Sequence, residues 1–124
     1  DQVRFFGIQQ QQGVAVLLGQ ADLFFLPSIA EALPVVLMEA QASGLPVVAT
    51  DVGSVVQIVA DGETGYIVPA QDVDAMAQRL EFLIKHPQEW PGMGQRGRKI
   101  IEEKFDCRVL NKKLEGLYRD LMQK

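Results

Sequence analysis

Cysteine is almost missing: Cys107 is the only one in 124 residues. A lone thiol closes no internal disulfide, and no histidine stands near it at zinc-ligand spacing. It reads as a structural residue, and its solitude suits a reducing compartment. Basic charge is also scarce. Twelve Lys and Arg against 16 Asp and Glu leave −4 at pH 7, whereas a nucleic-acid partner requires a basic footprint. No apolar run approaches the ~20 residues of a membrane span, and the first residues carry no signal-peptide pattern. No G-x-G-x-x-G follows a strand and no lysine-bearing phosphate loop is present, so Gly62 and Gly65 read as turn residues. The one histidine, His86, sits in Lys85-His86-Pro87 at a helix end and reads as a surface residue favoured by the dipole. Arg96, Arg98 and Lys99 read as a solvated helix face. No repeat or linker divides the chain. A hydrophobic fraction of 48% is that of an ordinary globular protein, and the length allows one domain with one core.

The organising stretch is LFFLPSIAEALPVVLMEAQASGLPVVATDVG, from Leu23 to Gly53. Leu23 to Leu26 is an apolar run stopped by Pro27 and Ser28. Pro34 suits a helix first turn, where a missing N–H is harmless. Val35 to Ala42 continues that helix, and Gly44 stands at the expected C-terminal glycine. Pro46 to Ala49 is a second apolar run, ended by Thr50, Asp51 and Gly53. Strand, helix and strand joined by short links predict a parallel pair with a right-handed crossover. Two acids stand out, Glu31 in the turn before the helix and Glu39 within it. Eight residues of ideal helix rise about 12 Å and turn about 80° past two full turns. That separation is too wide for carboxylates sharing a proton and suits contact with two ends of one elongated ligand. Open α/β sheets bind ligands beyond the carboxyl ends of their strands, and a helix N-terminus there favours phosphate.

The remaining segments extend this pattern. Val3 to Phe6 reads as a short strand closed by Gly7, and Gln9 to Gln12 as a solvated loop or first helical turn. Val14 to Gly19 reads as helix, with Val14, Leu17 and Leu18 at core spacing. Gly53 to Ala60 predicts a short helix with Val55, Val56 and Val59 on one face. Asp61-Gly62 and Thr64-Gly65 mark turns around a strand at 66–68. Asp72 to Ile84 is the clearest helix, capped by Gln71 or Asp72, with Val73, Met76, Ala77, Leu80, Leu83 and Ile84 at helical spacing. Pro91 to Glu103 predicts another. Asp106 is a cap for the last, where Leu110, Leu114, Leu117, Tyr118 and Leu121 form an apolar stripe.

At these residues the chain resembles the family 4 glycosyltransferases, retaining enzymes of two-domain GT-B architecture. Pro27-Ser28, Glu31, seven residues, Glu39-Ala40, Gly44-Leu45-Pro46-Val47-Val48-Ala49-Thr50 and Asp51-x-Gly53 match the family pattern in order and spacing. The match continues through Asp61-Gly62-x-Thr64-Gly65-Tyr66-Ile67-Val68 and, more loosely, to the last helix. The resemblance implies an α/β fold: a Rossmann-like parallel sheet with flanking helices, here the C-terminal part of the nucleotide-sugar-binding domain over residues 1–124. In that sheet's order 3-2-1-4-5-6, the four strand runs become strands 3, 4, 5 and 6. The resemblance also assigns roles. Glu39 would hold the donor ribose hydroxyls, and Glu31, the candidate catalytic residue, would lie against the donor sugar. Backbone N–H groups of Ala32, Leu33, Val35 and Val36 would meet sugar and diphosphate. A sugar would pass from a nucleotide diphosphate to a saccharide, lipid or small-molecule acceptor with retention. Neither metal nor cofactor is expected.

Some positions depart from the family. Ala32 replaces the usual glycine after the first acid, Ser54 a second glycine and Gln57 a common Glu. The acceptor-binding N-terminal domain, the first strands and the diphosphate-neutralising Arg and Lys are absent. The chain starts at Asp1 rather than Met, so an excised, inactive piece of a cytoplasmic enzyme is expected, with peripheral attachment at the inner membrane face also open. The bare sheet edge would then either pair with Val3 to Phe6 or recruit another copy. Alternative classes are a sugar-nucleotide epimerase of related GT-B fold and a non-catalytic binding or partner domain. Without the glycine fingerprint, a nicotinamide dehydrogenase is disfavoured.

Overall fold

The computed structural model describes residues 2–124. Three parallel strands form one sheet in the order β1 (Phe24–Leu26), β2 (Val47–Thr50), β3 (Gly65–Val68). Phe24 stands opposite Val47, and Val47 opposite Gly65. Each connection carries a helix, α2 (Val35–Ala42) between β1 and β2 and α3 (Val55–Ile58) between β2 and β3. Helix α1 (Gln11–Gln20) precedes the sheet, and α4 (Val73–Lys85), α5 (Trp90–Lys104) and α6 (Cys107–Met122) follow it. None of these helices is long and apolar enough to cross a membrane.

The central strand is buried on both faces, as a covered parallel sheet requires. Val47 and Ala49 pack with Leu18, Leu37, Ala40, Val55 and Ile58 on one side. Val48 faces the other way, onto Met76, Leu83 and Met93. Helix α5 lies across α2 and brings Ile101 to the first core and Met93 to the second. Gly44 follows α2 at φ +78°, the left-handed turn that ends the helix at little cost.

Several expectations need correction. Val3 to Phe6 forms no strand. It pairs with no other segment, and Val3 and Phe5 are 70% and 93% exposed. An apolar run becomes a strand only where a ladder receives its N–H and C=O groups, and here none does among the described residues. Val55 in α3 and Val59 just after it are buried but Val56 is exposed, since adjacent helical residues diverge by about 100°. Ile58 fills the core instead. Along α4 only Met76 and Leu83 are fully buried, while Val73, Ala77 and Ile84 face solvent. Cys107, read as a structural residue, is a free and exposed thiol at the start of α6. The stripe on α6 exists in sequence but is bare: Leu110, Leu114, Leu117, Tyr118 and Leu121 are all exposed.

Helix α6 is held at its start. Asp106 Oδ1 accepts from the Arg108 N–H at 2.8 Å, and the Arg108 guanidinium reaches Oδ2 at 2.8 Å. The guanidinium, helped by that N–H, holds the carboxyl at about 2 instead of the usual 3.8. A lowered folded value means stabilisation that is complete above pH ~4 and lost as pH falls through about 2. Residue-resolved chemical shifts should therefore show α6 fraying across that window. Asp106→Asn, which keeps a cap but not the charge, should flatten the transition. An unchanged acid profile in that variant would refute the assignment.

Candidate functional site

All three strands point their carboxyl ends the same way, so the loops 27–34, 51–54 and 69–72 gather at one edge of the sheet. Glu31 lies in the first of these loops, half-buried. Its Oε1 accepts from the Ser28 hydroxyl at 2.9 Å. The Ser28 carbonyl accepts in turn from the Thr50 hydroxyl at 2.6 Å, linking the ends of β1 and β2. The next turn of chain closes the other side. The Ser54 N–H donates to the Ala32 carbonyl at 3.1 Å. Gly53, at φ +52°, approaches so closely that a Cβ there would stand 1.8 Å from the Glu31 carbonyl oxygen.

Glu39 sits one helix along, half-buried in the middle of α2. It lines a cavity of about 190 Å³ with Gln11, Ala15, Leu18, Ala42 and Ser43, between α1 and α2. Glu31 is not in the wall of that cavity. Loop and helix thus hold the acids apart, without a shared hydrogen bond. Ala32, Leu33 and Val35 are exposed, whereas Val36 turns toward an apolar hollow with Phe24, Leu17 and Leu18. The N–H groups of Ala32, Leu33, Val35 and Val36 meet no acceptor among the described residues, and no side chain caps α2. Those of Val35 and Val36 are orphan first-turn donors, available to a ligand, and those of Ala32 and Leu33 lie in the loop just before the helix. Ala32 is not in the left-handed region, where Gln71 is the only described non-glycine residue. A residue with a Cβ therefore fits the backbone at position 32 without strain.

A family model described as "Glycosyl transferases group 1" matches residues 1–100. The chain belongs to this family. Among its relatives, N-acetyl-alpha-D-glucosaminyl L-malate synthase of Bacillus anthracis is 33% identical over 123 residues, 99% of this chain and 32% of that protein. Sucrose-phosphate synthase from Thermosynechococcus elongatus superposes with TM-score 0.90 at 32% identity, over 99% of this chain and 31% of its own. The Anabaena protein HepE, solved in complex with UDP and glucose, superposes with TM-score 0.87 at 22% identity, over 97% of this chain and 32% of its own. The group 1 chain described here therefore spans about a third of the length of the proteins it matches. The GT-B type of α/β fold expected from the sequence is the fold observed.

Two supports of the candidate site escaped the sequence reading. Pro27-Ser28 and Thr50-Asp51-x-Gly53 were legible as loop signals. The hydroxyl contacts between them arise only once β1 and β2 pair with Leu26 opposite Ala49. Gln41 also went unremarked. It is fully buried, and its Nε2 donates to the Ile58 carbonyl at 3.1 Å, fastening α2 to the end of α3.

Proposed function

We propose that this chain is the donor-binding part of a retaining glycosyltransferase that moves a sugar from a nucleotide diphosphate to an acceptor. The supporting observation is the placement of Glu31 and Glu39 eight residues apart, one in the loop at the carboxyl edge and one on the following helix, in a chain of the group 1 family. Donor specificity then divides between them. Glu39 accepts two hydrogen bonds from the ribose hydroxyls, a task suited to a carboxylate. Glu31 meets the sugar hydroxyls, and the free N–H groups from Ala32 to Val36 receive sugar and diphosphate oxygens. Pro34 has no N–H to offer. The acceptor, a saccharide or lipid, would be held by a further N-terminal domain, and no metal or cofactor enters this scheme.

The test uses the whole enzyme of this reading. Glu39→Gln should weaken donor binding by about 1–3 kcal/mol, the scale of a charged hydrogen bond. Calorimetric titration with UDP- and GDP-sugars would read this as an affinity loss of about fivefold or more. Glu31→Ala should chiefly lower kcat. Wild-type transfer rates in both variants would end the reading.

A further inference from the structure

Thr50 is 4% exposed at the end of β2, and its hydroxyl is aimed away from its own strand. It lies 2.6 Å from the Ser28 carbonyl and 3.4 Å from the Leu26 carbonyl. A threonine hydroxyl has one proton to donate, and the shorter contact with Ser28 takes it. The Ser28 hydroxyl then donates to Glu31 Oε1 at 2.9 Å. A buried side chain on the central strand thus connects, through one residue, to the carboxylate at the sheet edge. We propose that Thr50 and Ser28 are positioning residues for Glu31: Thr50 fixes the Ser28 backbone, and Ser28 orients the carboxylate.

The alternative is that both hydroxyls merely stabilise the loop. The chemistry separates the two roles. The carboxylate has further lone pairs free after the Ser28 bond, so it is aimed without being saturated and can still accept from a sugar hydroxyl. A side chain held in one rotamer by a charge-assisted bond keeps the reactive geometry that catalysis requires. Nothing else among the described residues hydrogen-bonds the Glu31 carboxylate. Loss of Ser28 therefore frees the side chain while leaving its charge in place.

This inference rests on the assignment of Glu31 above, and the experiment keeps the two apart. In the whole enzyme, kcat and donor KM are measured for Ser28→Ala, Thr50→Val, Thr50→Ser, Glu31→Ala and the Ser28→Ala/Glu31→Ala pair. Thermal unfolding of each is recorded alongside. Ser28→Ala and Thr50→Val should lower kcat on the order of tenfold, the scale of one charged hydrogen bond, with donor KM little changed. Thr50→Ser, which restores the hydroxyl, should recover most of it. Ser28→Ala should cost nothing further once Glu31 is Ala, because its effect passes through that carboxylate. A purely structural role predicts an equal loss in both backgrounds, and that result would overturn the inference. So would wild-type kcat in Ser28→Ala beside a slow Glu31→Ala. A Glu31→Ala of full activity would remove the role assigned to Glu31, and this inference with it. Should Thr50→Val fail to fold, the half-buried Ser28 site still decides.

Discussion

Replacing Gly94 by alanine is expected to destabilise the chain by about 2 kcal/mol, whereas the same change at Gly97 should stabilise it. Both residues lie in α5, on the side turned to α2. A Cβ on Gly94 would stand 1.9 Å from the Gly44 carbonyl oxygen and 2.7 Å from its carbon. Those are backbone atoms of the turn that ends α2, and they have nowhere to move. Overpacking of this kind costs about 1–3 kcal/mol, and more where the obstacle is rigid. The better helix propensity of alanine returns at most ~1 kcal/mol. At Gly97 the nearest atoms are those of the Gln41 side chain at 3.5 Å, an ordinary contact. There the propensity gain stands alone. Thermal unfolding followed by the single tryptophan, Trp90 in the same helix, would read both variants. The expected outcome for Gly94→Ala is a fall of roughly 8 °C in Tm. Matching shifts of one sign in the two variants would show that α5 does not sit on α2 as described.

Those two glycines illustrate what a sequence does and does not disclose. Helix ends, strand runs and turns are local, so β1, β2, β3 and α4 were legible from apolar runs and from Asp72, whose side chain accepts from the Ala75 N–H at 2.9 Å. Parallel pairing followed from link length. Close approach was not legible, because Gly94 meets Gly44 across fifty residues of chain and reads in isolation as a weak helix residue. Exposure was misjudged for a related reason. The periodicity of α6 says which face is apolar, not whether anything covers it. Val3 to Phe6 failed likewise, since alternation of apolar residues carries no information about a neighbouring edge.

The acids were legible because they share one continuous stretch with the helix that carries Glu39. Spacing alone could not say how the carboxylate of Glu31 is aimed. Ser28 donates to that carboxylate and is itself held by Thr50, twenty-two residues further along, while Gly53 closes against the Glu31 backbone. The loop around Glu31 is thus built from two sides. One hydroxyl bond holds Ser28 to the end of β2, and the Ser54 N–H holds Ala32 to the turn beyond.

Gly53→Ala should therefore abolish most transfer activity while leaving much of the sheet intact. Two costs combine at this position. The backbone is at φ +52°, where a side chain costs about 1 kcal/mol. In addition, the new methyl would lie 1.8 Å from the Glu31 carbonyl oxygen, 2.7 Å from its carbon and 3.0 Å from the Ala32 oxygen. The turn and the Glu31 loop cannot both keep their places. The loop has the freer path, since Ala32, Leu33 and Val35 face solvent, whereas Val55, next along the turn, is fully buried. Displacement should break the Ser54 to Ala32 bond and carry Glu31 from its site, with kcat falling about a hundredfold or more, equivalent to ~3 kcal/mol. Gly62→Ala is the control. Gly62 is also left-handed, at φ +79°, but nothing lies within 4 Å of its missing Cβ. It should lose about 1 kcal/mol of stability and no activity. Paired unfolding curves and transfer assays on the whole enzyme would separate the two effects. If both variants lost stability equally and Gly53→Ala kept its turnover, the contact between that turn and Glu31 would have no part in the site.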